Sequence, residues 1–146
     1  METLYTDEYF MRLALVEAQK AFDAGEVPVG AIVVSNNKIL AKAHNLTETL
    51  CDATAHAEMQ SITAASGFIG AKYLTDCTLY VTLEPCLMCT GALYWSQIVK
   101  VVYGAKDLKR GSSKLGHLYH PKTELVGGVL EAECAALLTH FFKKLR

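Results

Sequence analysis

Apolar residues recur along this chain in two rhythms, and the changes of rhythm mark its elements. Phe10, Leu13, Ala14, Ala18 and Ala21 lie three or four apart, the spacing of one helix face, with Thr6 upstream as a cap and Gly25 downstream as a stop. Residues 27–34 and 39–43 are apolar enough for two strands, and Asn36-Asn37 between them tolerates the positive φ of a tight hairpin. A second helix is expected from 55 to about 65, with Thr54 as its cap. Residues 79–83 read as a buried strand that delivers the chain to Pro85, which suits the first position of a helix running to about 96. Residues 99–103 form another expected strand, Glu124–Val126 a weaker one, and 130–145 a final amphipathic helix. Strands alternating with helices predict a layered α/β/α sheet with helices on both faces. With no repeat, linker or low-complexity tract, residues 1–146 are expected to form a single domain.

Composition adds two constraints. Cys51, Cys77, Cys86, Cys89 and Cys134 make an odd set, and residues 1–10 carry acids and no basic, apolar leader, so a disulfide framework is not expected and a cytoplasmic location is. Nowhere do eighteen apolar residues run together, so no membrane partner is expected. Cys51, Cys77 and Cys134 read as small packing residues. The net charge of −1 is unevenly spread: residues 106–146 hold eight Lys and Arg against four Asp and Glu, while the rest of the chain is acidic. Lys106, Lys109, Arg110 and Lys114 fall in an expected loop, and Lys143, Lys144 and Arg146 close the last helix. Such asymmetry is the footprint of phosphate contact, although a terminal charge run also serves simply as a solvated face.

Candidate chemistry centres on His56 and Glu58, followed after a gap by Pro85, Cys86 and Cys89. Imidazole and two thiolates suit zinc, and three protein ligands leave one position open, as in catalytic rather than structural sites. The carboxylate left over, Glu58, would handle protons. Cys86 and Cys89 are three apart and share a helix face; His56 and Glu58 converge only if they sit at a first turn, where side chains lean beyond the helix end. Alone, a Cys-x-x-Cys is also a redox pair or half of a zinc finger, but no thioredoxin-like context surrounds this one.

Together, His-x-Glu and Pro-Cys-x-x-Cys are the signature of zinc-dependent nucleobase deaminases. Beyond the signature, Glu26-Val27-Pro28-Val29-Gly30-Ala31, Asn45 and the runs 52–58, 79–89, 102–107 and 133–142 make most of the chain similar to the bacterial tRNA-specific adenosine deaminases. That resemblance implies a cytidine-deaminase-like α/β fold with a five-stranded mixed sheet, one Zn²⁺ per chain on His56, Cys86 and Cys89, and Glu58 as the catalytic carboxylate. It also implies a homodimer acting on the anticodon stem-loop of a tRNA, converting adenosine to inosine at the wobble position.

The same resemblance brings in a substrate set: Val27, Asn45, Asp107, Lys109, Arg110 and Phe142. Asn45 ends a strand, where its amide would meet an adenine edge, and Asp107 matches a position beside the RNA sugar; both types also form turns. The final helix, with Phe142, lies near the bound anticodon loop in that family, whereas Phe141 and Phe142 alone read as core or interface. Leu93, Tyr94 and Trp95 offer apolar bulk for a subunit interface. His117, His120 and His140 lack ligand spacing with the cysteines and are left as surface or packing residues. The chain departs from many relatives at Leu46-Thr47-Glu48, and 111–126 is shorter than in better-known members. Two rivals stand beside this reading. A guanine or cytosine deaminase acting on a free base shares the metal motif, and a zinc-stabilised interaction module would need a fourth ligand that the sequence does not supply.

Overall fold

The computed structural model describes residues 4–145; Arg146 of the basic cluster and the first three residues of the acidic start lie outside them. Helix α1 (Asp7–Asp23) begins where Thr6 Oγ1 accepts the Tyr9 amide at 3.0 Å, so the expected cap is in place. Strands β1 (Gly30–Ser35) and β2 (Lys38–His44) form a two-residue hairpin in which both Asn36 and Asn37 take positive φ, the requirement of a type I′ turn. Then follow α2 (Ala57–Ile69), β3 (Thr78–Leu83), α3 (Leu87–Ser96), β4 (Lys100–Ala105), a short 3₁₀ turn (Ser112–Leu115), β5 (Glu124–Val126) and α4 (Glu131–Lys144).

The five strands form one mixed sheet in the order β2-β1-β3-β4-β5. β1 runs antiparallel to both β2 and β3, whereas β3, β4 and β5 are parallel. β1, β3 and β4 alternate between two cores, as period-two geometry requires. Ala31, Val33, Leu79, Val81 and Val101 pack under Ala57, Ala65 and Leu93 of α2 and α3, while Ile32, Val34, Tyr80 and Val102 pack under Phe10, Met11, Ala14 and Cys134 of α1 and α4. Gly30 permits α1 to lie this close, since a Cβ there would strike the backbone of Ala14 and Ala18.

Several local expectations need correction. Thr54 does not cap α2: its hydroxyl donates to Asp52 Oδ1, and His56 occupies the cap position in extended conformation. Pro85 precedes Cys86, the cap of α3, rather than opening the helix. Strand β1 starts at Gly30, later than the apolar run beginning at Val27, because Val27–Val29 turn along the cleft described below. Helix α2 continues to Ile69 and stops at Gly70, whose left-handed φ of 70° ends it. Leu93 is core, and Cys51 is exposed rather than a packing residue, unlike buried Cys77 and Cys134. No described helix is long and apolar enough to cross a membrane.

Candidate active site

Strand directions gather the site before any side chain is considered. Because β2 and β3 each oppose β1, they run the same way, and β4 follows β3. Segments leaving β2, β3 and β4 therefore emerge at one edge of the sheet, and the segment entering β1 arrives there. Those segments carry Asn45, Cys86, Asp107 and Val27. Together with the start of α2 and one face of α4 they enclose a cleft of about 1030 Å³.

At its floor, His56 Nδ1 lies 3.7 Å from Cys86 Sγ and 3.5 Å from Cys89 Sγ, and all three ligand atoms fall within 4.8 Å of one another. Tetrahedral zinc with bonds of about 2.0–2.3 Å would place ligand atoms roughly 3.6 Å apart, so donor types and spacing both fit that ion. Among the described residues no fourth Cys, His or carboxylate joins the group, which is the arrangement of an open rather than a closed metal site. His56 caps α2 and Cys86 caps α3, so two helix N-termini face this corner and favour negative charge there.

Protonation follows the same geometry. The hydrogen bond between the two thiols pulls Cys86 down to about 4 and pushes Cys89 above the ordinary thiol range. The hydrogen bond to Cys86 raises His56. Glu58, in the first turn of α2 and almost fully buried, has its carboxyl raised mainly by desolvation. With His56 in the extended cap and Glu58 inside the first turn, two residues that would oppose each other on a regular helix both reach the cleft.

Nine of the ten residues singled out from the sequence line this cleft: Val27, Asn45, His56, Glu58, Cys86, Asp107, Lys109, Arg110 and Phe142. Cys89 lies beneath, fully buried. Asn45 and Asp107 also form turns, the alternative their residue types allowed. Asn45 Nδ2 donates to Val27 O and its Oδ1 accepts from the Thr47 amide, both at 3.3 Å, and Asp107 Oδ1 accepts the amides of Lys109 and Arg110 at 3.1 and 2.9 Å. Lys114 sits in the 3₁₀ turn and does not line the cleft, whereas Lys106 does. His117 and His120 lie against Tyr119 and Tyr94, and His140 against Phe22, away from the metal corner. Sequence reasoning missed Leu138, Thr139, Leu145 and Glu84 as lining residues. Leu138 and Leu145 share helical spacing with Phe142, and Glu84 is a lone acid at the end of an apolar strand, so a signal existed for these three; Thr139 carried none.

A family model for the cytidine and deoxycytidylate deaminase zinc-binding region matches residues 4–105. The chain belongs to that family. It is a zinc-dependent deaminase, a hydrolase, and the ligand geometry above is consistent with the zinc the family binds. It is 49% identical to the tRNA-specific adenosine deaminase of Bacillus subtilis, an alignment spanning 96% of this chain and 91% of that one. It is 50% identical to the tRNA-specific adenosine deaminase of Aquifex aeolicus, spanning 95% of each. A solved structure from work on A-to-I editing by tRNA:A34 deaminases at the wobble position of transfer RNA superposes with a TM-score of 0.84 at 39% identity, covering 89% of this chain and 99% of the other. The expected cytidine-deaminase-like fold is thus the observed one, five-stranded mixed sheet included.

Proposed function

We infer that this chain, acting as one deaminase domain, converts adenosine to inosine by hydrolysis at the wobble position of a tRNA anticodon. One observation carries the reading: a three-ligand metal corner, a buried carboxyl beside it and a basic loop share a single cleft. His56, Cys86 and Cys89 would hold the zinc. Bound there, zinc supplies a Lewis acid that brings the pKa of a water toward ~7. Glu58 carries one proton of the attacking water to adenine N1 and the other to the amino group at C6, so that a C–O bond replaces the C–N bond and ammonia departs. A carboxyl raised by burial is suited to both directions of transfer, work that contributes about 10²- to 10⁴-fold.

The remaining lining residues read the substrate. Asn45 presents its amide to the adenine edge with Val27 beside it, and Asp107 keeps Oδ2 for a ribose hydroxyl while Oδ1 shapes the loop. Lys109 and Arg110 meet phosphates, and Phe142 of α4 lines the same cleft. An extruded base is required to reach the floor, which favours the unpaired anticodon loop. The enzyme works in the cytoplasm as a homodimer. Tyr94 and Trp95 support the dimer, because both are exposed at the end of α3 and Trp95 presents about three quarters of its surface. Pure protein incubated with bulk tRNA and, separately, with free bases tests the function: inosine should accumulate in digests of the tRNA. Rapid deamination of guanine or cytosine with no inosine in tRNA would overturn the reading.

A further inference from the structure

We propose that Glu84 is a positioning residue that locks the basic loop to the zinc-ligand segment, so that phosphate contacts and metal corner move as one unit. The inference rests on the tRNA reading for its kinetic consequences and on geometry alone for the lock itself. Glu84 is 3% exposed. Its Oε1 accepts the Asp107 amide at 3.1 Å and its Oε2 the Ser113 amide at 3.0 Å, so one carboxylate spans both ends of the segment that bears Lys109 and Arg110. Its own amide donates to Ala105 O at 2.8 Å, fastening it to the end of β4.

Next in sequence, Pro85 O accepts the Ser112 amide at 3.1 Å, and Cys86 forms a β-bridge with Gly111. Gly111 is needed for this wrapping, since a Cβ would run into the Glu84 carboxylate and Asp107 O. On the far side of the cysteine pair, Thr90 Oγ1 donates to Ser112 Oγ at 2.8 Å, a second fastening one residue beyond Cys89. Anchors thus flank both thiolates. A carboxylate offers acceptors on both oxygens, as two amide donors require; a carboxamide offers one acceptor and turns a donor toward the other N–H.

The test compares Glu84→Gln, Gly111→Ala and the double variant Glu84→Ala/Gly111→Ala with wild type. Zinc content, hydrogen exchange of the Asp107 and Ser113 amides, and kcat and KM on tRNA are measured on the same preparations. Glu84→Gln should retain zinc, speed exchange at both amides, and lower kcat/KM roughly tenfold, mainly through KM, with a shallower salt dependence of tRNA binding. Glu84→Ala should relieve the carboxylate's part of the Gly111→Ala clash while Asp107 O still meets the new Cβ. The double variant should therefore be less perturbed than Gly111→Ala alone, an interaction that two independent defects would not give. Unchanged exchange at Asp107 and Ser113, or a loss entirely in kcat with KM and salt slope intact, would overturn the lock. The exchange measurement stands apart from the functional reading: a wild-type protein that forms no inosine would refute tRNA deamination while exchange still decided the role of Glu84.

Discussion

Glu58 and His56 differ in what their surroundings ask of them, although only one residue separates them. His56 shares its Nδ1 face with two sulfurs, whereas Glu58 is buried where desolvation holds its carboxyl toward the protonated form. Glu58→Ala should therefore leave zinc stoichiometric and reduce turnover on tRNA by at least about 10²-fold, the loss expected for a proton-transfer group. Metal analysis and inosine formation on one preparation check it. Loss of zinc would make Glu58 a ligand, and near-normal turnover would remove it from the chemistry. The metal triad itself was legible in the sequence because ligand chemistry depends on residue type and short spacing. Which residue capped which helix was not: Thr54 is a stronger capping type than His56, but Asp52 captures its hydroxyl and the turn ending at His56 sets the helix start.

At the scale of elements, the connection from β2 to α2 depends on an acid 22 residues upstream. Glu26, fully buried, accepts the amides of Glu48 and Thr49 and the Thr49 hydroxyl, at 3.0, 2.6 and 2.7 Å. Burial pushes its pKa up, but these hydrogen bonds outweigh it and the net shift is downward. A depressed folded pKa contributes stability above the ordinary carboxylate value of ~4.3 that is lost as pH falls through the lower folded value. Glu26→Gln should cost about 1–3 kcal/mol at neutral pH, because one amide donor then faces another, and the gap from wild type should narrow below about pH 4. Denaturant midpoints measured across that range check it; a constant gap would mean that the carboxylate's charge is irrelevant. The sequence contained Glu26 within its family-like run, but neither charge pattern nor periodicity could pair it with a loop 22 positions away.

Two further outcomes belong to the whole molecule. The chain is slightly acidic on average, yet Lys106, Lys109 and Arg110 of one short loop all line the cleft. Replacing Lys109 and Arg110 with Ala should weaken tRNA binding and flatten the plot of log K against log salt by roughly one per lost phosphate contact, with zinc retained. An unchanged slope would take the loop out of the RNA site. At the end of α3, Tyr94 and Trp95 stack edge to face at 5.5 Å and remain exposed, which is apolar area suited to a symmetric partner. Light scattering at micromolar concentration should return about twice the 16.0 kDa chain mass, and Trp95→Asp should return one chain. A wild-type monomer with full activity on tRNA would refute the dimer.

What this sequence determined by itself follows from short-range rules. Alternation along 31–34 sorts side chains onto two faces of the sheet, Asn36-Asn37 dictates the hairpin, and His56, Glu58, Cys86 and Cys89 declare a metal and a proton carrier by type and spacing. Tertiary structure decided the rest, since strand order cannot be read from local pattern. Only the opposed directions of β1 against β2 and β3 bring Val27, Asn45, Cys86 and Asp107 to one edge. Leu93 and Trp95 look alike in the chain as apolar residues of one helix, yet packing on the sheet buries the first and leaves the second in solvent. Glu84 is the sharpest case: a lone acid beside a cysteine motif acquires its partners at Asp107 and Ser113 only when β3 and β4 lie side by side, because a buried carboxylate must find donors wherever the fold supplies them.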